Sequence, residues 1–496
     1  MFENLMLGFS VFADPMVPIG LIVGALLGYM IGAVPGLGPS LGIALLIPFT
    51  YTLDPVVSIV TLVSLYAAAE YGGAISAILI NSPGTAAAVA TSWDGYPLTL
   101  QGKAGVALNI SIVSSGIGIL LSTLCLFVTA VPLSEYALNF GPTAYVGLAL
   151  VGLSLVSTFS GDAPLKGFIA MGIGLALATV GLDTQTGVPR FSATPEFFEG
   201  LPLVPVLLGL FALSEVLFMI EAGPAEKKKS QPLNGILVVP MSTFNNMKML
   251  FIRSSILGYV IGVIPGAGAS IASFVSYGVA KKSSKTPEAF GKGSYEGIAA
   301  SETANNAAVS GALAPLLALG IPGSPTTAIM IGALMIHGIQ PGPLLFTTNP
   351  EIPYTIFAGL WLGVPVMILI GLFGAKFWAK VADISRPAIA AIVASICFIG
   401  AYASENSLFP VYITLAFGVV GYVLRKAHIP LAPIILALVL GEMLESNYRR
   451  AMLISNGDFS IFYTSSLTMI LLAIALLSFT LPGVRKAIGW SRKKTS

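Results

Sequence analysis

LGYMIGAVPGLGPSLG at residues 27–42 and LGYVIGVIPGAGASIA at residues 257–272 align without a gap at an offset of 230. Leu27, Gly28, Tyr29, Ile31, Gly32, Pro35, Gly36, Gly38 and Ser40 are identical to their partners, nine positions of sixteen, where composition alone would give roughly one or two. A self-match of this quality marks an internal repeat. A weaker match follows in each half. ILINSPGT at 78–85 lines up with LALGIPGS at 317–324, which sets Pro83-Gly84-Thr85 against Pro322-Gly323-Ser324. Each half therefore carries two Pro-Gly pairs inside apolar sequence. Proline removes a backbone donor and clashes with the preceding turn, and glycine admits conformations closed to other residues, so a helix entering any of these pairs must break.

The chain around these pairs belongs in a bilayer. Of 496 residues, 55% are hydrophobic and 9% are charged, against the roughly 25% charged residues of a soluble globular chain. Apolar stretches long enough to cross a hydrocarbon core of about 30 Å recur along the whole length. The expected fold is all-α and polytopic, with about 12 transmembrane helices plus broken or re-entrant half-helices. The expected organisation is a first repeat half over 1–221, a polar linker over 222–248 carrying Lys227, Lys228 and Lys229, a second half over 249–446, and a C-terminal helix with a basic tail over 447–496. By the positive-inside rule the linker lysines, Lys376, Lys380, Arg386, the Arg425-Lys426 pair and the tail after Arg485 face the cytoplasm. Arg449 and Arg450 fit that orientation less well.

The formal charge of +2 is spread over short loop clusters, which excludes a nucleic-acid surface. The N-terminal stretch has Glu3 and Asp14 where a cleavable signal would be cationic, so it is expected to be retained. Cys125 and Cys397 lie in separate apolar runs and read as packing residues, with no disulfide or metal framework.

A helix broken inside lipid exposes N–H and C=O groups that cost several kcal/mol each unless protein, water or a ligand satisfies them. Paired Gly/Pro interruptions at matching positions of two halves are the sequence mark of a transporter's binding site. The candidate substrate and ion site is therefore Pro35, Gly36, Gly38 and Ser40 with Pro265, Gly266, Gly268 and Ser270, joined by Asn81, Ser82, Pro83, Gly84 and Thr85 with Pro322, Gly323, Ser324, Thr326 and Thr327. Asn305 and Asn306 add amides. Half-helix N-termini offer N–H groups to an anion, and freed carbonyls can hold sodium, whose ligands the spacing leaves undefined. A competing explanation is that Gly24, Gly28, Gly32 and Gly36, repeated as Gly258, Gly262 and Gly266, form a ladder for close helix packing alone. Packing needs neither the prolines nor the hydroxyls that follow them.

Ionisable residues in apolar runs are also candidates, and Glu70 and Glu302 stand out. They do not align across the halves, and for each a functional role and a structural hydrogen bond both stay open. Arg253 lies upstream of the second PGxG with an open role. His337 and His428 are lone histidines without a relay.

At this point the chain resembles a known family, the large membrane subunit of tripartite tricarboxylate transporters. The resemblance is carried by PGLGPS at 35–40, NSPGT at 81–85, TQTGVPRF at 184–191, PGAGAS at 265–270 and IPGSPTTA at 321–328, and it spans nearly the whole chain. It implies a bacterial inner-membrane uptake system in which this subunit translocates a small carboxylate. A small four-helix membrane subunit accompanies it, an extracytoplasmic binding protein delivers the substrate, and a sodium or proton gradient drives the step. It also implies that the two repeats are inverted. No catalytic residue and no cofactor is expected, and no phosphate-binding GxxxxGK[ST] loop occurs. The other readings are a passive anion channel, which counterflow distinguishes from a carrier, and an intramembrane serine hydrolase suggested by Gly38-Pro39-Ser40-Leu41-Gly42. The latter needs a strand-turn-helix setting and a base near Ser40.

Overall fold

The computed structural model describes residues 2–154, 164–183, 186–192, 194–223, 239–266, 268–381 and 384–494, with side chains from 3 to 480 within them. Most of the linker, with its three lysines, and Thr184-Gln185 lie outside the described residues. The helices in chain order are α1 (Phe2–Ser10), α2 (Met16–Ala33), α3 (Pro39–Thr50), α4 (Pro55–Ile80), α5 (Ala88–Leu100), α6 (Ala104–Ala137), α7 (Pro142–Ser154), α8 (Pro164–Ala178) and α9 (Leu203–Ala222). They continue with α10 (Lys248–Val263), α11 (Gly268–Ser283), α12 (Tyr295–Leu319), α13 (Pro325–Ile336), α14 (Glu351–Val381), α15 (Arg386–Glu405), α16 (Phe409–Lys426), α17 (Ala432–Ile454) and α18 (Ser466–Lys494). The apolar runs 17–50 and 250–280 each resolve into two helices, α2 with α3 and α10 with α11, parted at the PGxG pairs.

Among the described residues, α2, α4, α6, α9, α14, α15 and α16 are long and apolar enough to cross a membrane, and α3, α7, α8, α13 and the first part of α18 are shorter apolar helices. The outer face of α2 shows why the surrounding solvent is lipid. Ile19, Ile22, Val23, Leu26 and Met30 are exposed, while Gly20, Gly24, Gly28 and Gly32 on the opposite face are buried. Bulky side chains turned outward and glycines turned inward reverse the pattern of a water-soluble helix.

The chain forms two compact units, Met1–Glu135 with Glu215–Asn406 and Tyr136–Ser214 with Ser407–Ser496. At the centre of the first are α4 and α12, buried over Val57–Ile80 and Gly297–Ala318 respectively. Helix α2 packs along α4 and α10 along α12. A Cβ at Gly24, Gly28 or Gly32 would lie within 2.5 Å of the Thr61, Leu65 or Ala69 carbonyl oxygen, and one at Gly258 or Gly262 would meet Ala304 or Ala308. Both glycine ladders therefore serve close backbone packing, up to Gly32. The next element of each half crosses over: α3 packs on α13, and α11 packs on α5.

In the second unit α7, α8, α17 and α18 pack together, and α16 lies on the part of α9 that carries a π-helical turn at Leu208–Leu213. A cavity of about 560 Å³ opens among Val146, Leu150, Leu175, Leu444 and Phe462. Its lining is mostly apolar, with Thr179, Glu445 and Tyr448 among the exceptions, and it presents no cation to a carboxylate. In the TQTGVPRF stretch, residues 186–191 are exposed apart from the half-buried Arg190, and they close a short hairpin. Gly181 pairs with Arg190 and Leu182 with Pro189 in a two-residue antiparallel ladder, the one strand pair among the described residues. Phe191 and Val188 are exposed, but Asp183 is buried. Arg449 Nη2 lies 2.8 Å from Asp183 Oδ2 and 2.6 Å from Glu445 Oε1, and Arg190 Nη1 reaches the same Glu445 oxygen at 2.6 Å. This network gives Arg449 a structural partner inside the protein. Replacing Arg449 by alanine is expected to cost about 1–2 kcal/mol and to speed tryptic cleavage at Arg190. An unchanged cleavage rate would show that the network does not hold the hairpin.

Candidate functional site at the helix breaks

Helix α2 ends at Ala33 and α10 at Val263, and Val34 and Ile264 are extended. Gly36 (φ 91°) and Gly38 (φ 29°) in the first half match Gly266 (φ 86°) and Gly268 (φ 60°) in the second. These are backbone conformations that side chains resist. A Cβ at Gly36, Gly38 or Gly268 would meet nothing within 4 Å, so these glycines are kept by conformation and the packing ladder stops before them. Pro39 then opens α3. Ser40 and Ser270 are half-buried in the first turns of α3 and α11.

The second breaks have the same construction. Asn81 closes α4 with φ 51° and Gly320 closes α12 with φ 72°. Asn81 is exposed and Ser82 and Pro83 are half-buried, whereas Gly84, Thr85, Pro322, Gly323, Ser324, Thr326 and Thr327 are buried. Each second break is seated on the helix end of its own half. The Gly84 amide donates to the Gly73 carbonyl at 3.1 Å and a Cβ there would lie 2.0 Å from the Gly32 oxygen, while the Gly266 amide donates to the Gly323 carbonyl at 3.2 Å. Ser324 and Thr327 form a reciprocal cap on α13, Ser324 N–H to Thr327 Oγ1 at 2.8 Å and Thr327 N–H to Ser324 Oγ at 3.2 Å, so the Thr327 hydroxyl is engaged locally.

Two of the contacts between the halves involve the second-half break at Ser324 and Thr326. Ser40 Oγ lies 2.9 Å from Thr326 Oγ1, and Tyr66 Oη lies 3.2 Å from Ser324 Oγ. The first break of one half thus meets the second break of the other. Where α5 meets α11, Trp93 packs its ring on Phe274 and Tyr277.

Glu70 and Glu302 stand on the two central helices. Glu302 is fully buried and its carboxylate accepts from the Thr91 hydroxyl and, at 3.0 Å, from Ser115. Asn306 and Ser310 follow Glu302 at four-residue intervals on α12, and Ser310 bonds Ser122 at 2.9 Å. This makes a hydroxyl-rich seam with α6. Asn305 Nδ2 donates to the Glu70 carbonyl at 3.5 Å. Glu70 Oε2, Thr85 Oγ1, Asn305 Oδ1 and both polar atoms of the Asn306 amide have no hydrogen-bond partner within the protein. Buried polar groups are normally paired, so unpaired ones on the two central helices and at Thr85 of the first-half break suit a ligand.

A family model described as the tripartite tricarboxylate transporter TctA family matches residues 19–436. The chain belongs to that family. It is the membrane subunit of a tricarboxylate transporter and works with partner subunits. An uncharacterized 52.8 kDa protein of Agrobacterium vitis, from the region 3′ of ttuC′ in TAR-I, is 36% identical over 488 residues, covering 97% of each chain. A second Agrobacterium vitis protein, uncharacterized and from the corresponding TAR-II region, is 39% identical over 231 residues, 46% of this chain and 96% of its own. No solved structure matches.

Within this TctA-family chain, sequence reasoning passed over several residues that build the site. Tyr66, four residues before Glu70, shares its helix face and reaches the second-half break. Thr91 and Ser115 hold Glu302. Asp94 is the largest omission. It lies on α5, fully buried, and its Oδ1 accepts from the amides of Gly291, Gly293 and Ser294 at 2.8, 2.9 and 2.8 Å, while Oδ2 accepts from Tyr277 Oη at 2.9 Å. The charge in SWDG at 92–95, inside otherwise uncharged sequence, was the available signal. Arg253 is placed away from the breaks: twelve residues before Pro265, or about 18 Å along a helix, it donates to Ser283 Oγ at 2.6 Å.

Proposed function

We propose that the chain carries a small carboxylate across the bacterial inner membrane by secondary transport, through a pocket made by the four helix breaks. The observation that supports this reading is the contact of Ser40 with Thr326, between the first break of one half and the second break of the other, with Tyr66 of α4 reaching Ser324 of that same second break and unpaired polar groups buried on the central helices. The breaks aim the starts of α3 and α13 at that place, and a helix N-terminus attracts an anion. The crossing-over of α3 to α13 and of α11 to α5 is what an inverted pair of repeats would produce. The extracytoplasmic binding protein delivers the substrate, the small four-helix subunit accompanies the chain, and an ion gradient supplies the driving force. The lysine-rich loops and the C-terminus face the cytoplasm. The Ser40 hydroxyl is paired with another hydroxyl, which cannot act as a general base, and this disfavours a hydrolase.

Single substitutions Ser40→Ala, Ser270→Ala, Thr85→Val and Ser324→Ala are each expected to lower uptake of labelled tri- or dicarboxylates about tenfold with expression retained. Full uptake in all four would defeat the site assignment. Proteoliposomes holding both membrane subunits should show counterflow of labelled against unlabelled substrate. Its absence, with flux persisting, would favour a channel.

A further inference from the structure

On α4, Tyr66, Glu70 and Gly73 follow at helical spacing along one face. Tyr66 reaches Ser324 of the second-half break. At the other end of the face, a Cβ at Gly73 would lie 2.7 Å from Thr85 Oγ1 of the first-half break. Glu70 therefore stands on that face between the residues that meet two breaks, and the Asn305 amide reaches its backbone carbonyl at 3.5 Å. Three oxygens there, Glu70 Oε2, Thr85 Oγ1 and Asn305 Oδ1, are unpaired on residues only 6%, 8% and 0% exposed.

An anion needs donors, and this group supplies two unpaired acceptors and one hydroxyl. A carboxylate in such a place needs a counter-charge. No Lys or Arg occurs in residues 1–102, 254–280 or 293–375, which contain all four breaks. Glu302 is not a competing ligand, because Thr91 and Ser115 already serve its carboxylate. Hard oxygen donors with a single carboxylate suit a monovalent metal ion, and the described residues hold no group of three His, Cys, Asp or Glu side chains that would gather a transition metal. We infer that Glu70, Thr85 and Asn305 bind one alkali cation, of sodium's chemistry, between the two breaks. This deepens the transport reading and rests on it. A bare Glu70 repels a carboxylate, so the cation binds first and the substrate second.

The test is the melting temperature of the purified full chain in detergent, without substrate, as sodium chloride replaces choline chloride at constant ionic strength. The wild type and Glu302→Gln should be stabilised saturably by sodium. Thr85→Val and Asn305→Ala should need at least tenfold more, and Glu70→Gln should not respond. If Glu70→Gln does not fold, Thr85→Val carries the test. An unchanged sodium response in Thr85→Val, equal stabilisation by choline, or full replacement of the sodium effect by acidification in choline would overturn the assignment. The last outcome would make the ligand a proton. Ser40→Ala separates the two readings. Lost uptake in Ser40→Ala beside a wild type indifferent to sodium would remove the cation and leave the pocket standing.

Discussion

Asp94→Ala should lower the unfolding free energy by about 3–5 kcal/mol, because it removes the shared acceptor of four donors at once, those of Ser294 and Tyr277 being buried. The three amides of the loop before α12 and the Tyr277 hydroxyl converge on this carboxylate. Each would keep its desolvation cost and lose its partner. Gly291 is exposed, so water can recover part of the loss there, and the estimate stays below the simple sum. Asp94→Asn retains one oxygen for the amides and presents an NH₂ that the Tyr277 oxygen can accept, so it should fall between wild type and alanine. Chemical denaturation of the detergent-solubilised chain measures both. A loss under about 0.5 kcal/mol for alanine would show that the loop does not depend on Asp94. The position matters for transport as well, since Asp94 ties α5, directly after the first-half break, to the start of α12, which carries Glu302 and Asn305.

Gly84→Ala should abolish most uptake, leaving about a tenth or less. The added Cβ would stand 2.0 Å from the Gly32 carbonyl oxygen and 2.7 Å from Gly73 Cα. Both obstacles are backbone atoms of α2 and α4, two helices already in glycine-mediated contact, so no side chain can swing aside. Accommodating one methyl group means shifting the break away from α4, and with it Thr85. Gly36→Ala is the matching comparison. It has open space but φ 91°, so its cost is conformational, about 1–2 kcal/mol, and its uptake should fall less. Equal uptake by Gly84→Ala and wild type would mean that the close seating of the first-half break is not needed for transport.

Much of this architecture is legible in the chain because the bilayer makes local chemistry decisive. Runs of apolar residues must be helices where no water can satisfy the backbone, and Pro-Gly pairs must interrupt them. The breaks at 34–38, 81–87, 264–266 and 320–324 accordingly fall where the residues place them. The α2 and α10 glycine ladders were equally readable, whereas the left-handed helix ends at Asn81 and Gly320 emerged only with the structure. Helix α5 was not, because Ser92, Asp94 and Pro97 interrupt its apolar pattern and its partners are distant in sequence.

What the amino-acid order determined by itself was membrane residence, a helical fold, a repeated motif and four interruptions, since each depends on neighbours within one or two turns. Only the tertiary structure decided which interruptions meet, Ser40 with Thr326 across 286 residues, and brought Tyr66 of α4 to Ser324 across 258. It alone separated Glu302, supplied with hydroxyls from α5 and α6, from Glu70, left with an unpaired oxygen between two breaks. The physical reason is that a polar atom's state inside lipid depends on the donors that long-range packing brings to it, and those donors leave no periodic trace along the chain.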